Sequence, residues 1–250
     1  IAMTKLSAIT AALGWAAEAH AWNVHAQIAG DYVMRLFDPV RGRFYAGTVP
    51  VGTAAGPGIS PDGPRMGDEV VNTAEFLDAQ TFVLLAMAWA PQYRNAIDWR
   101  RPIDYMNDRF ADSVSTAGRT FYGFNLVPDP TEGPRGIAYE FTGQAVVAMR
   151  FVDALYGESK HEATAQFYRT QIREAQQFAP FADGQGLVAS VLQDADLVPA
   201  YEQCLSTPFQ CIASRIGLAA TTWAIAADLS INPFLDLIIP VVPPTPSSGR

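Results

Sequence analysis

One stretch of the chain, residues 136–152, limits the possible folds more than any other, because its apolar residues leave almost no polar face. Val146 and Met149 are surrounded by alanine and other apolar residues, and few polar positions interrupt them. A helix that is apolar nearly all round is buried nearly all round. The polar residues Glu140 and Gln144 come at its start. We therefore expect a central helix with a carboxylate at its N-terminal end, where free N–H groups and the helix dipole favour negative charge.

Two further segments, 76–89 and 215–227, repeat this form, with polar groups at the front and an apolar body behind. Amphipathic segments alternate with them; they are 22–37, 103–110 and 161–178. Each amphipathic segment is followed by a short aromatic or apolar run close to glycine. This threefold order predicts an all-α fold of alternating inner and outer helices. Short β pieces are expected only near 43–46, 120–125 and 187–191.

The composition is that of a globular chain and excludes several classes of partner. The 250 residues carry a formal net charge of −8, and the only lysines are Lys5 and Lys160. Nucleic acid and anionic membrane surfaces are poor partners for such a chain, because both attract positive charge on the protein. No apolar run is long enough to span a membrane. The sequence therefore predicts no nucleic-acid partner and no membrane span.

The motifs that would indicate a cofactor or a metal are missing from the sequence. It has no glycine-rich phosphate loop, no Gly-x-Ser-x-Gly elbow and no Cys-x-x-Cys pair. The three histidines, His20, His25 and His161, fall on predicted amphipathic helices and show no metal-binding spacing. We expect surface or capping roles for them, and neither a metal nor a cofactor.

The two ends of the chain allow more than one interpretation. Residues 1–21 imitate a signal peptide with a cleavage site at Ala19-His20-Ala21. Helical spacing continues through 22–37, which favours a mature helix instead. Residues 235–250 are rich in proline and serine, which is typical of a linker and of a piece of a longer protein. We therefore divide the chain into a folded domain over 1–234 and a tail over 235–250.

The sequence has two cysteines, Cys204 and Cys211, in a segment that contains Pro208. In an exported protein two cysteines so placed can form a local disulfide. In a reduced compartment they would be two unpaired small residues. We predict the disulfide and a periplasmic or extracellular location, with a cytoplasmic location as the alternative.

Residues 47–67 are rich in glycine and proline and hold few side chains that could pack. We interpret them as a long surface loop. Long loops in compact domains often carry function, which makes this segment a candidate.

Three phrases of the sequence resemble the six-hairpin glycosidase superfamily, whose members are (α/α) toroids. The phrases are LDAQTFVLLAMA (77–88), GIAYEFTGQAVVAMRF (136–151) and GLAATTWAIAADLSINPF (217–234). The resemblance extends from Trp22 to Phe234 and concerns the C-terminal half of poorly characterised bacterial members. A complete toroid of this family has six hairpins, and this sequence contains three and a fraction. The resemblance therefore implies a partial toroid of three to four hairpins.

The resemblance also implies where a site would lie, because in such toroids the loops that enter the inner helices frame the cleft. Glycoside cleavage needs one carboxyl group that protonates the leaving oxygen and another that activates water or attacks. Glu140 and Asp78 occupy analogous positions in different hairpins, so they form the predicted catalytic pair. The predicted substrate-binding residues are Tyr139, Gln144, Gln80, Tyr122, Phe124, Tyr201 and Arg215.

Each of these residues also has a structural interpretation. Glu140 and Asp78 would then only bond backbone N–H groups at helix starts, and the aromatic residues would only pack. Two effects oppose each other at Glu140. The helix N-terminus lowers its pKa, whereas desolvation by Tyr139 and Phe141 raises it, and the sequence leaves open which effect is larger.

The resemblance implies a carbohydrate-active protein with a carbohydrate substrate. The first class is a glycoside hydrolase acting on a poly- or oligosaccharide by carboxylate acid/base catalysis. The second class is a sugar epimerase or lyase; such enzymes bring histidines to the cleft, and the histidines here fall on predicted outer helices. The third class is a glycan-binding or assembly module that keeps the fold but lacks a complete acid/base pair.

Overall fold

The structure is a computed structural model that describes residues 1–128, 135–193, 204–206, 211–235 and 237–240. Within these residues the chain forms seven α-helices. Their bounds are α1 Ala2–Ala12, α2 Ala16–Arg35, α3 Leu77–Met87, α4 Arg100–Arg109, α5 Tyr139–Tyr156, α6 Glu162–Phe178 and α7 Leu218–Leu229. Helices α2 to α7 coincide with the six helical segments that the hydrophobic pattern predicts.

Thirteen short strands occur in the same described ranges and form five antiparallel sheets. Their bounds are β1 Phe37–Asp38, β2 Arg43–Phe44, β3 Gly47–Pro50, β4 Arg65–Met66, β5 Glu69–Asn72, β6 Ala111–Thr116, β7 Arg119–Phe124, β8 Gly136–Ala138, β9 Ser190–Leu192, β10 Cys204–Ser206, β11 Cys211–Ala213, β12 Ile231–Asn232 and β13 Leu237–Ile238. The largest sheet has the order β6-β7-β8-β9, and a second has the order β3-β5-β4. The other three are the hairpins β1-β2, β10-β11 and β12-β13.

Helix α5 is the centre of the fold, and the prediction that it is buried nearly all round is confirmed. Of its 18 residues, 15 are buried. It packs against α3, α4, α6 and α7 and against β7. Arg150, on α5 itself, joins the central helix to α6 and α7. Its guanidinium donates to the Glu162 carboxylate on α6 and to the Ala227 carbonyl and Ser230 hydroxyl at the end of α7. One buried cation therefore fixes α6 and α7 on the central helix.

The prediction of an all-α toroid of alternating inner and outer helices is wrong. The structure is a mixed α/β fold, in which a four-stranded antiparallel sheet packs on α5 and α6 through β7. The sequence-based prediction missed strand β6 entirely. Its residues Val114 and Thr116 are buried and Ser115 between them is exposed, which is the alternation of a half-buried strand. Ala117 and Gly118 then turn the chain with φ values of 50° and 71°, as a two-residue type I′ hairpin turn requires.

The segment 47–67, which the sequence predicts to be a surface loop, holds two strands instead. Both β3 and β4 pair with β5, and the register places Thr48 opposite Val71 and Arg65 opposite Val70. Gly67 has a φ of 70° in the short turn between β4 and β5, a conformation that glycine adopts without steric cost. The segment therefore contributes two strands and the turns between them to a small sheet, and Gly47 and Pro50 are the end residues of β3.

At the N-terminus, α1 and α2 are two helices that pack against each other, not one continuous helix. They are separated near Gly14, whose φ is 80°. None of the helices in the part of the chain that the structure describes combines the length and the apolar character that a membrane crossing requires. At the other end β13 pairs with β12 across the expected boundary at residue 235, and residues 241–250 lie outside the described ranges.

The disulfide predicted from the sequence is confirmed. Cys211 is disulfide-bonded, and the only other cysteine of the sequence is Cys204. The two cysteines belong to the paired strands β10 and β11, in which Cys204 lies opposite Ala213 and Ser206 opposite Cys211.

Candidate functional site

The predicted catalytic pair, Asp78 and Glu140, meet in the structure although they are far apart in the chain. Each lies in the first turn of its helix, Asp78 in α3 and Glu140 in α5. The two helices pack together, and the charge of Glu140 acts on the carboxyl group of Asp78. Within the described ranges neither carboxyl group accepts a hydrogen bond from a backbone N–H. The pair therefore does not cap its helices.

Gln144 lies between the two carboxyl groups. It is fully buried one turn after Glu140, and its Oε1 accepts a hydrogen bond from the Thr81 hydroxyl at 3.0 Å. Its Nε2 lowers the pKa of both carboxyl groups by its proximity, yet its geometry falls short of a hydrogen bond to either. Gln144 Nε2 and Asp78 Oδ1 are therefore buried polar atoms without a partner in the described part of the chain. Buried polar atoms without a partner cost stability and are rare in folded proteins.

Burial raises the pKa of both carboxyl groups. The pKa of Asp78 rises to about 6, because burial disfavours its charged form and because the charge of Glu140 opposes a second negative charge. Burial also raises the pKa of Glu140. At Glu140, desolvation outweighs the opposing effect of the Gln144 amide. At weakly acidic pH, Asp78 carries a proton that it can donate.

Glu75, three residues before Asp78, is a structural carboxylate and provides a comparison within the same segment. It accepts hydrogen bonds from Arg43 at 3.2 Å, from Arg109 at 2.8 Å and from the Tyr105 hydroxyl. Burial alone would raise the pKa of Glu75, but these donors and their positive charges outweigh burial and lower it. Asp78 has no cationic partner among the described residues. The two neighbouring carboxyl groups therefore have opposite environments.

An aromatic cluster of Phe82, Trp223 and Phe234, which the sequence did not point to, lies next to the carboxyl pair. Phe82 follows Asp78 by one turn on the same face of α3, and its ring stacks on Trp223 of α7 with centroids 6.0 Å apart. Phe234 packs edge-on against Phe82 at 5.3 Å. Trp223 also approaches α5, since a Cβ on Gly143 would lie 2.8 Å from its own Cβ. All three rings are only partly buried, so the cluster exposes ring surface near the pair. The spacing of four residues from Asp78 to Phe82 is the one sequence signal that could have revealed it.

The predicted substrate-binding residues Gln80 and Tyr139 are completely buried, as are Gln144 and Phe124. Gln80 holds strand β2 on α3: its Oε1 accepts the Phe44 N–H at 2.8 Å, and its Nε2 donates to the carbonyls of Phe44 and Phe76. Tyr139 is 0% exposed, and its hydroxyl has no partner in the described ranges. Burial raises the pKa of that hydroxyl. Substrate binding by either residue stays a prediction, and the contacts of Gln80 are structural.

The other predicted substrate-binding residues do not gather at the carboxyl pair. Phe124 is buried in β7, and Tyr122, two residues earlier, is 39% exposed. The rings of both pack against aromatic residues of α6. Arg215 is exposed shortly before α7. Tyr201 lies outside the described residues. Of the predicted substrate-binding set, the structure therefore brings only Gln144 into contact with the pair.

The histidines lie elsewhere. His20 and His25 are exposed on α2, and His161 is buried at the start of α6, where its Nδ1 lies 2.7 Å from an oxygen of Asp153. The described residues contain no group of three or more His, Cys, Asp or Glu side chains that could hold a metal ion. Two neighbouring carboxyl groups, one with its pKa raised to about 6, can perform proton transfer and carboxylate attack.

Comparison of the chain with protein-family models, with curated proteins and with solved structures found no match. The resemblance to the six-hairpin glycosidases stays a sequence-based expectation, and any statement on function depends on the residues of the site.

Proposed function

We propose that the protein is a carbohydrate-active hydrolase in which Asp78 is the general acid and Glu140 the carboxylate that activates water or attacks. Glycoside hydrolysis uses two carboxyl groups with separated pKa values, one protonated and one ionised. Asp78 suits the acid role because burial and the charge of Glu140 keep its proton on at weakly acidic pH. Glu140, whose negative charge raises the pKa of Asp78, suits the second role.

One observation carries the proposal: Asp78 is a partly buried carboxyl group with a raised pKa and an oxygen that has no partner in the described ranges. Glu75, only three residues earlier, has a lowered pKa and accepts three hydrogen bonds. A residue that only stabilised the start of α3 would gain from partners such as those of Glu75. Perturbed carboxyl groups without such partners concentrate at catalytic sites, because catalysis needs the proton to be mobile.

The neighbouring groups fit the same reaction. Gln144 Nε2 lies buried beside both carboxyl groups and acts on the pKa of each. The aromatic cluster offers ring surface against which the apolar face of a sugar can pack. The disulfide of Cys211 supports an oxidising compartment, the periplasm or the extracellular space.

The test is release of reducing ends from a panel of soluble oligo- and polysaccharides between pH 4 and pH 8. For a cleaved substrate, we expect Asp78→Asn and Glu140→Gln each to lower turnover by about 10²-fold or more, with folding intact by circular dichroism. Glu174→Gln is the matched control, since Glu174 is an exposed carboxylate on α6 with only a loose ion pair to Arg119, at 3.6 Å. It should keep the parent's turnover.

Two results would contradict the hydrolase. Wild-type turnover in both Asp78→Asn and Glu140→Gln would show that the pair is structural. Binding of a glycan by the parent without cleavage at any pH would favour a glycan-binding module instead.

A further inference from the structure

A separate cleft of about 700 Å³ opens between the end of α2, the β1-β2 hairpin and the turn between β4 and β5. Tyr32, Arg35, Phe37, Arg65 and Glu69 are among its lining residues. Its size lies in the range of ligand pockets, about 300–1,000 Å³. Part of its wall is the segment 64–71, which includes the end of the glycine- and proline-rich stretch that the sequence marks as a candidate for function.

The first carboxylate of the cleft, Asp38, already has its partners within the protein. Its Oδ1 accepts the backbone N–H groups of Val40 and Arg41, and its Oδ2 accepts the Tyr45 hydroxyl at 3.0 Å. The Arg43 guanidinium lies 3.9 Å from Oδ2. Burial would raise the pKa of Asp38, but these hydrogen bonds and the Arg43 charge outweigh it and lower the pKa. Asp38 is therefore an ionised, internally neutralised group that shapes the hairpin.

The second carboxylate, Glu69, belongs to a chain of hydrogen bonds across the β3-β5 pair. It accepts the Thr48 hydroxyl, and the same hydroxyl lies 2.7 Å from that of Tyr32. This chain fixes the Tyr32 ring at the edge of the cleft. Neither carboxylate of the cleft is thus left wholly free for a ligand.

The two arginines of the cleft are in the opposite situation. Arg35 and Arg65 are exposed, and within the described ranges neither forms an ion pair or a side-chain hydrogen bond. A guanidinium offers five N–H donors in a planar fork that matches a carboxylate. The charged groups of the cleft that remain available to a ligand are therefore two cations, Arg35 and Arg65, although the chain has a net charge of −8.

The walls between these cations are aromatic and apolar. Phe37 and Tyr45 from the hairpin, Tyr32 from α2 and Met66 from β4 all line the cleft. Aromatic rings beside fixed hydrogen-bond donors suit a ligand with one apolar ring face and one anionic edge. A uronic acid unit of a saccharide has both.

We propose that this cleft binds an acidic saccharide, with Arg35 and Arg65 on the carboxylate of a uronic acid unit and the aromatic walls against its ring. The saccharide part of the ligand rests on the proposed function, whereas the anionic part rests on the two arginines alone. The lining residues of the cleft belong to α2, to β1 and the residues that flank the β1-β2 hairpin, and to segment 64–71, whereas the carboxyl pair lies on α3 and α5. The cleft thus selects acidic glycans as ligands of the protein.

The test is isothermal titration calorimetry with three probes: a digalacturonate, the neutral disaccharide of the same linkage, and inorganic phosphate. The parent should bind the digalacturonate and bind the neutral disaccharide at least about tenfold more weakly, since each lost charge-assisted hydrogen bond costs roughly that factor. Arg35→Gln and Arg65→Gln should each weaken digalacturonate binding by about tenfold or more. Arg173→Gln removes the same charge from an exposed site on α6 and should change nothing.

Three results would overturn the proposal: equal binding of the charged and neutral disaccharides, digalacturonate binding that is unchanged in both arginine variants, or phosphate binding as tight as digalacturonate binding. Asp78→Asn separates this proposal from the hydrolase. It should abolish cleavage and leave digalacturonate binding intact. Retained cleavage in Asp78→Asn would refute the hydrolase alone, whereas unchanged digalacturonate binding in both arginine variants would refute the acidic-saccharide site alone.

Discussion

Replacing Asp78 with asparagine should stabilise the folded protein at neutral pH. The pKa of Asp78 is about 6 in the fold, against an ordinary value of 3.8. A carboxyl group whose pKa is raised by folding stabilises most below its unfolded pKa, and this stability is lost as the pH rises through the folded value. The difference between the two values corresponds to about 3 kcal/mol. At pH 8, ionisation of Asp78 therefore lowers the free energy of unfolding by about 3 kcal/mol relative to the protonated group.

Asparagine cannot ionise, so Asp78→Asn removes this cost at pH 8. The gain is smaller than the full amount, because the new amide brings donors to a position where Asp78 Oδ1 has no partner. We expect a net gain of about 1–3 kcal/mol in the free energy of unfolding. The assay is urea unfolding of both proteins at pH 8 and pH 4. At pH 4 the parent holds its proton, so the advantage of the variant should disappear.

The control for this experiment is Glu75→Gln, for which the sign is reversed. Glu75 has a lowered pKa, so it contributes stability above its ordinary pKa and loses it as the pH falls. The Glu75→Gln variant should be less stable than the parent at pH 8, with a smaller deficit at pH 4. If Asp78→Asn destabilises the protein equally at both pH values, the carboxyl group is not desolvated and the assignment of Asp78 as the acid loses its basis.

Two further predictions concern stability alone and use the same urea assay. Gln80→Ala should lower the free energy of unfolding by about 2–4 kcal/mol, because it leaves the buried N–H and C=O groups of Phe44 unpaired. A loss below about 1 kcal/mol would show that water replaces the two hydrogen bonds of Gln80 to Phe44. Gly143→Ala should lower the free energy of unfolding by about 1–3 kcal/mol, because the new Cβ would lie 2.8 Å from the Cβ of Trp223. The control Gly56→Ala should be near neutral, because nothing lies within 4 Å of its new atom. Equal costs for the two variants would refute the close contact of α5 and α7.

The helices could be predicted from the sequence because each has a local signal. The alanine- and valine-rich run of 145–152 admits only a buried helix, and α5 is buried as expected. The amphipathic pattern of 161–178 is equally local, and α6 spans Glu162–Phe178. Hydrophobic periodicity determines the face of a helix without reference to the rest of the chain.

The sheets could not be predicted in the same way, because strand pairing depends on distant partners. Residues 136–138 form β8 only because β7 and β9 lie on either side, and β9 begins more than 50 residues later in the chain. The sequence predicted short β pieces near 43–46, 120–125 and 187–191, where β2, β7 and β9 lie, but the resemblance to helical toroids favoured isolated pieces over paired strands. The hairpin turn at Ala117-Gly118 was the local signal against it, since two successive positive φ values suit a strand pair and no helix.

The carboxyl pair could be predicted only in part from the sequence. Analogy between two helix starts predicted that Asp78 and Glu140 would be close, and the charge of Glu140 does act on Asp78. The protonation of the pair could not be predicted, because it depends on which donors arrive from elsewhere. Glu75 receives Arg43, Tyr105 and Arg109, and its pKa falls.

Asp78, three residues later, has only the Gln144 amide nearby and no cationic partner among the described residues, and its pKa rises. Nothing in the local sequence distinguishes these two acidic residues at the start of α3. The tertiary fold lowers the pKa of one and raises the pKa of the other. The acid role that we propose for Asp78 therefore depends on keeping cations away from it as much as on bringing Glu140 near. A lysine or arginine introduced beside Asp78 should abolish that role, because a nearby positive charge favours the ionised carboxylate and lowers the pKa.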